Sequence, residues 1–204
     1  MIILSFTIII SGLTSMFAVS NNDYEHIVPY YEANVCLSSS EQKMYNLIND
    51  YRRSNGLEKA KCSKALTYVA KIHAKDLYNY YDEDSEYCNL HSWSENGPWE
   101  NCCYTENHKR AKCMWFKPME ITSYEDVAYE IVFYSTYPDD LANMANAAVE
   151  GWQDSPGHDE MILNDNEWKT LSWSSMGVAI YKNYAVVWFG EQADGDGSPK
   201  NCYE

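Results

Sequence analysis

The chain has 204 residues, a formal net charge of −15 and an isoelectric point of about 4.6, long enough for one domain with a sizeable core once a leader is removed. That charge repels a phosphate backbone, which argues against nucleic acid as a partner, and an anionic membrane surface is disfavoured for the same reason. The acids are spread along the chain and read as a solvated surface that aids solubility.

Residues 1–20, MIILSFTIIISGLTSMFAVS, carry no charged side chain and end in the small-x-small site Ala18-Val19-Ser20; they read as a secretory signal peptide. A retained anchor is the lesser reading, because the apolar run is short for a span and contains Ser11 and Gly12. After cleavage the protein is not expected to be integral to a membrane. Residues 21–37 are polar and aromatic without periodicity and form an N-terminal arm. Ser38 with Glu41 makes a capping box. Met44, Leu47, Ile48 and Tyr51 then recur at helical spacing, up to a stop at Gly56. A second helix begins near Ser63, with Leu66, Val69, Ala70, His73 and Leu77 on its buried stripe. His73, so placed, reads as a satisfied core histidine rather than a ligand.

Residues 80–120 form a long loop region dense in Tyr, Trp and Cys, and four of the seven cysteines lie there. In an exported chain crosslinking is the first explanation of such a stretch. Cys102 and Cys103 are adjacent, so two separate bridges, to Cys88 and Cys113 or farther, are expected rather than a strained ring. The full pairing is not deducible. The odd count leaves one thiol free, or paired between chains in a disulfide-linked dimer. No Cys-x-x-Cys pair supports a zinc ribbon.

A short helix is expected over Tyr124–Tyr134, and another from Pro138 or Asp139 to Gln153. In GWQDSPGHDEMI (151–162) Pro156 breaks the helix and the chain presents His158 just beyond. Ser174–Lys182 and Tyr184–Glu191 have strand composition and a tight turn at Lys182-Asn183. The Gly- and Asp-rich tail, 192–204, is expected to be mobile until Cys202 tethers it. Helices followed by a hairpin suggest an antiparallel sheet packed by helices.

The run Trp152–His158 (W-x-x-S-P-G-H), followed by Met161-Ile162-Leu163, resembles the signature of bacterial-type members of the CAP superfamily: the cysteine-rich secretory, antigen 5 and pathogenesis-related 1 proteins, or SCP domains. Other pieces occur in that family's order. NLINDYRRSNGL (46–57) and ALTYVAKIHAKDL (65–77) resemble its first two helices. CNLHSWS (88–94) resembles its Cys-x-x-His-Ser element, and YEDVAYEI (124–131) sits where it has Gly-Glu-Asn. MGVAIYKNYAVVWFGE (176–191) resembles its closing strand and hairpin. The HSWS, CCY and CMWFKP blocks resemble a Cys-rich subgroup.

The resemblance spans residues 38–191 and implies an α+β fold, an α-β-α sandwich with a central antiparallel sheet, stapled by disulfides. It also implies a cleft of two histidines and two acids. Carried over by position, these are His91, Glu130 and His158, with the second acid open: its slot falls at Ser155, and Asp154 stands beside it. Tyr129 and Ile131 replace the family's Gly and Asn around Glu130, which would leave the backbone there less open. His91 and His158 are the expected metal ligands, since two imidazoles with a carboxylate leave an open position on a weakly held divalent ion such as zinc. His26 and His108 read as surface residues.

No His-Glu-x-x-His helix, Gly-x-Ser-x-Gly elbow, phosphate loop or dinucleotide fingerprint occurs. The expected function is therefore that of a secreted, non-enzymatic CAP module that binds an extracellular protein or lipid ligand. The alternatives are a peptidase-like hydrolase using the same cleft, with Ser92 or Ser155 beside the histidines, and a purely structural disulfide-stapled protein.

Overall fold

Ser38 starts the first helix as its spacing predicts. After the short strand β1 (Cys36–Leu37), the Ser38 hydroxyl accepts the Glu41 amide and the Glu41 carboxylate accepts the Ser38 amide at 2.7 Å, closing the capping box on α1 (Ser39–Ser54). Glu41 does more than cap. It holds the Lys71 ammonium at 2.6 Å and accepts the Ile180 amide at 3.2 Å, tying the helix start to two neighbouring elements. The chain leaves α1 through Gly56 at φ +79°, a left-handed conformation that favours glycine. Strand β2 (Lys61–Cys62) follows, then α2 (Lys64–Tyr80), capped by the Ser63 hydroxyl accepting the Leu66 amide at 2.9 Å. Next come α3 (Ala111–Trp115), α4 (Lys117–Ile121), β3 (Ala128–Tyr134), α5 (Leu141–Gln153), α6 (Pro156–Leu163), β4 (Ser175–Tyr181), β5 (Tyr184–Gly190) and β6 (Lys200–Asn201).

This computed structural model describes residues 35–202 apart from 83, 85–86 and 137–140. The expected signal peptide, most of the arm, His26 and the predicted helix start at Pro138 or Asp139 lie outside the described residues.

The principal sheet runs β2-β4-β5-β3. Its three long strands are antiparallel, as expected, and β2 joins β4 in parallel, so the sheet is mixed. Lys182 turns the β4–β5 hairpin at φ +53°. The helix predicted over 124–134 is instead strand β3, paired along its length with β5. Both faces of β3 are covered, so its side chains do not alternate between apolar and polar, and their spacing imitates a helical stripe.

Each face of the sheet carries its own core. On one face α2 packs over Ala128, Val132, Ala179, Val186 and Trp188. On the other α1, α5 and α6 cover Ile131, Val178, Val187 and Phe189. The α2 backbone comes so close to β4 that a Cβ on Gly177 would lie 2.1 Å from the Leu66 carbonyl carbon. Only glycine fits that contact.

Disulfides Cys88–Cys103 and Cys102–Cys113 staple the long segment, resolving the adjacent cysteines into separate bridges as anticipated. Cys36–Cys202 joins the two ends of the domain, beside the parallel β1–β6 pair. The unpaired cysteine is Cys62, half-buried, whose thiol burial pushes up to about 11. The tail is held well before Cys202: Asp194 accepts the Ser63 hydroxyl at 2.6 Å and the Ala65 amide at 2.8 Å, at the positive end of α2.

Candidate functional site

Glu130 lies in the middle of β3 on the α2 face, in register with Trp188 and 2% exposed. A buried carboxylate needs partners for both oxygens, and it has them. Oε2 meets His73 Nδ1 from α2, and Oε1 meets His91 Nδ1 at 2.8 Å. His91 comes from the stapled segment. The Cys88–Cys103 disulfide and the isolated antiparallel pair Trp93–Cys102 fix that segment, and the Asn89 side chain accepts the His91 amide at 3.1 Å. His73 is fully buried, bonds the Ser92 carbonyl through Nε2 at 3.0 Å and stacks on Trp93 with ring centres 4.3 Å apart. Burial pushes the Glu130 carboxyl up, but the charge of His73 and the bonds from both imidazoles hold it below the usual carboxylate range. Burial pulls His73 down, and the charge and hydrogen bond of Glu130 together with the bond to the Ser92 carbonyl more than offset this, leaving it raised.

His158 reaches the same place from the opposite core. Helix α5 stops at Gln153, Pro156 occupies the first turn of α6, and Ser155 stands between them. The Ser155 hydroxyl makes no cap bond to the helix and lies 2.8 Å from His158 Nδ1. Burial and the nearby His91 push His158 below the usual histidine value, so it is neutral near pH 7.

A cavity of about 580 Å³ is lined by His91, Glu130 and His158 together. Its walls include Tyr129, Trp115 and Trp168; Tyr129 meets Trp115 at 5.2 Å and Trp168 at 5.1 Å, both edge to face. Tyr129, standing where the resembled family has glycine, thus supplies part of the wall.

The cavity brings three of the four sequence-selected residues together. Asp154 is exposed and is not among the residues that line it. The second acid on the wall is Glu167, from the single 3-10 turn Asn166–Trp168 after α6, a position with no patterning that would single it out. His108, read as a surface residue, is exposed but also borders the cavity, its Nδ1 2.8 Å from the Tyr104 hydroxyl. His73 is the satisfied core histidine that its stripe position suggested, and its partner is the cleft carboxylate.

The donor set bears on a metal. His91 and His158 each engage Nδ1, which leaves the two Nε2 nitrogens as donors. The carboxylate behind His91 orients that ring, as metal-site carboxylates commonly do. Among the described residues no group of three or more His, Cys, Asp or Glu side chains is placed to hold an ion. The described residues thus offer two imidazole nitrogens and not the four ligands of a closed structural site. As for hydrolysis, the Ser92 hydroxyl accepts the Tyr104 amide at 2.9 Å, and Ser155 sits beside a histidine to which, among the described residues, no carboxylate is bonded.

Residues 45–189 match the family model described as CAP, the cysteine-rich secretory protein family. Among solved structures, the chain is similar to an extracellular protein containing an SCP domain from Bacillus anthracis, with 19% identity, a TM-score of 0.48 and coverage of 75% of this chain and 40% of that one. A cysteine-rich secretory protein from Staphylococcus aureus shares 18% identity at a TM-score of 0.45, covering 75% and 39%. An outer surface protein from Borrelia burgdorferi shares 18% at 0.48, covering 76% and 93%. The chain thus spans well under half the length of the first two. Among curated proteins, none matches.

Proposed function

Because the chain belongs to the CAP family of cysteine-rich secretory proteins, we propose that it is a secreted, non-enzymatic binding module whose cleft holds a divalent metal weakly through His91 and His158. The observation that carries this reading is the state of Glu130: buried, with an imidazole on each oxygen, it is held below the usual carboxylate range and is a weak general base. What it does is orient His91. A bound ion would supply open coordination positions for a ligand group, while the aromatic walls take the ligand's apolar part. The ligand is an extracellular protein segment or a lipid, presented to a cavity lined by aromatic rings together with His91, Glu130 and His158. Three disulfides agree with an oxidising, extracellular setting, and no described helix is long and apolar enough to cross a membrane.

Zinc titration by calorimetry tests the reading. The protein should bind one ion, and His91→Ala or His158→Ala should weaken binding by about tenfold or more with the circular dichroism spectrum unchanged. Absence of binding, or binding indifferent to both substitutions, would favour a purely structural protein with a vestigial cleft. The Ser155–His158 contact at 2.8 Å keeps a hydrolase as a second reading. The expected result with peptide and ester substrates is no turnover; turnover abolished by His158→Ala in a folded protein would establish the hydrolase instead.

A further inference from the structure

Both ring nitrogens of buried His73 face acceptors: Nε2 the Ser92 carbonyl at 3.0 Å, and Nδ1 the Glu130 carboxylate. A carbonyl oxygen has no hydrogen to give, so Nε2 carries one and donates it. A second hydrogen must lie between Nδ1 and Oε2, because two lone pairs in contact inside a protein would repel. The remaining oxygen, Oε1, accepts from His91 Nδ1 at 2.8 Å. Hydrogen on His91 Nδ1 leaves Nε2 bare in the neutral ring.

We propose that His73 is a positioning residue for the cleft: gripping Glu130 from the core side, it sets the His91 tautomer, so that the cleft offers a bare imidazole nitrogen. A cleft so arranged takes a Lewis acid or a hydrogen-bond donor in preference to an anion. This rests on the binding role proposed for the cleft and adds what that role selects. His73 holds the site twice over. It fixes the carboxylate that orients the His91 ring, and it bonds the carbonyl of Ser92, the residue next to His91. Trp93 fixes the plane of the His73 ring, stacked at an interplanar angle of 6°. None of this requires His73 to touch the cavity, and it is not among the residues lining it.

The test reads the tautomer directly. In the intact protein, long-range nitrogen–proton NMR should find His91 as a single Nδ1–H form. His73→Phe keeps a ring on Trp93 but removes both hydrogen bonds. His91 should then lose its single tautomer, and zinc affinity should fall at least tenfold with the fold retained. His91 remaining a pure Nδ1–H form in His73→Phe, with zinc affinity within twofold, overturns the proposal. If that variant does not fold, His73→Gln, whose side-chain amide can keep the bond to the Ser92 carbonyl while losing the one to Glu130, is the second variant. His91 should populate both tautomers there, and a single Nδ1–H form would overturn the proposal equally. The assignment needs no metal, so a protein with the expected tautomer that binds no zinc sinks the metal reading and leaves the role of His73 standing.

Discussion

The two faces of the sheet are built from different materials. Beneath α2 the packing includes buried His73, Asp76, Lys117 and Glu130, each with a partner: Asp76 accepts the Ser94 amide at 2.8 Å, and Lys117 donates to the Glu100 carbonyl and the Glu120 carboxylate. Beneath α1, α5 and α6 the sheet meets an apolar layer of Met44, Ile48, Ala145, Ala148, Trp152 and Ile162, and the buried Asn49 and Arg52 of α1 bond the backbone carbonyls of Ala60 and Ile162 rather than each other. Neighbours on one strand make the contrast sharp, since Glu130 enters the first layer and Ile131 the second. The polar layer is where the disulfides of the long segment lie, and where the cleft carboxylate is held. An apolar layer is held by volume alone and tolerates exchange of like for like; a layer of mutually dependent polar groups does not.

The largest expected effect breaks that dependence. Glu130→Ala should cost about 3–5 kcal/mol in urea unfolding, because His73 is left buried and unpaired. Replacing both partners, His73→Phe with Glu130→Leu, should restore stability to within about 1 kcal/mol of the parent or beyond it. A double variant no better than the single would mean that the polar layer is held by something other than this pair. Next in size, Cys102→Ser with Cys113→Ser should cost about 3 kcal/mol, and the loss should loosen the His91 segment in hydrogen exchange while leaving α5 protected. On the opposite face, Ile48→Val should cost only about 1 kcal/mol, with no change in zinc binding.

Acidity separates the faces as well. His73 is raised, so its contribution is complete below the usual histidine value and is lost as pH rises through its folded value. Glu130 is lowered, so its contribution is present above the usual glutamate value and is lost as pH falls through its own. Melting temperature should therefore fall away outside that window, and it should do so less in the double variant. The smallest effect belongs to Cys62. With its thiol pushed up to about 11, alkylation should be slow at neutral pH and accelerate roughly tenfold per pH unit towards that value. Rapid labelling at pH 7 would mean that this thiol is free to pair between chains after all.

The same contrast decided what could be read from the residues in advance. The capping box at Ser38, the cap at Ser63, the hairpin at Lys182 and the break before His158 are local devices, written in adjacent residues, and each is present. Strand β3 was not legible, because both its faces are covered and even its acid, Glu130, is buried, so no solvent-facing side reveals its period. The cleft histidines were legible through family resemblance. Glu167 was not, for an acid in a single 3-10 turn has no spacing to distinguish it from the other acids of so anionic a chain. The role of His73 was hidden for a further reason: position on the helix gives burial, but its partner Glu130 lies 57 residues away.

Cys36–Cys202 has a mechanical consequence. Tension applied through chain extending beyond these two cysteines would run across one sulfur–sulfur bond, bypassing the sheet and the helices. A pull that would unzip an open β domain would leave this one loaded at a single covalent point, with the cleft geometry unstretched.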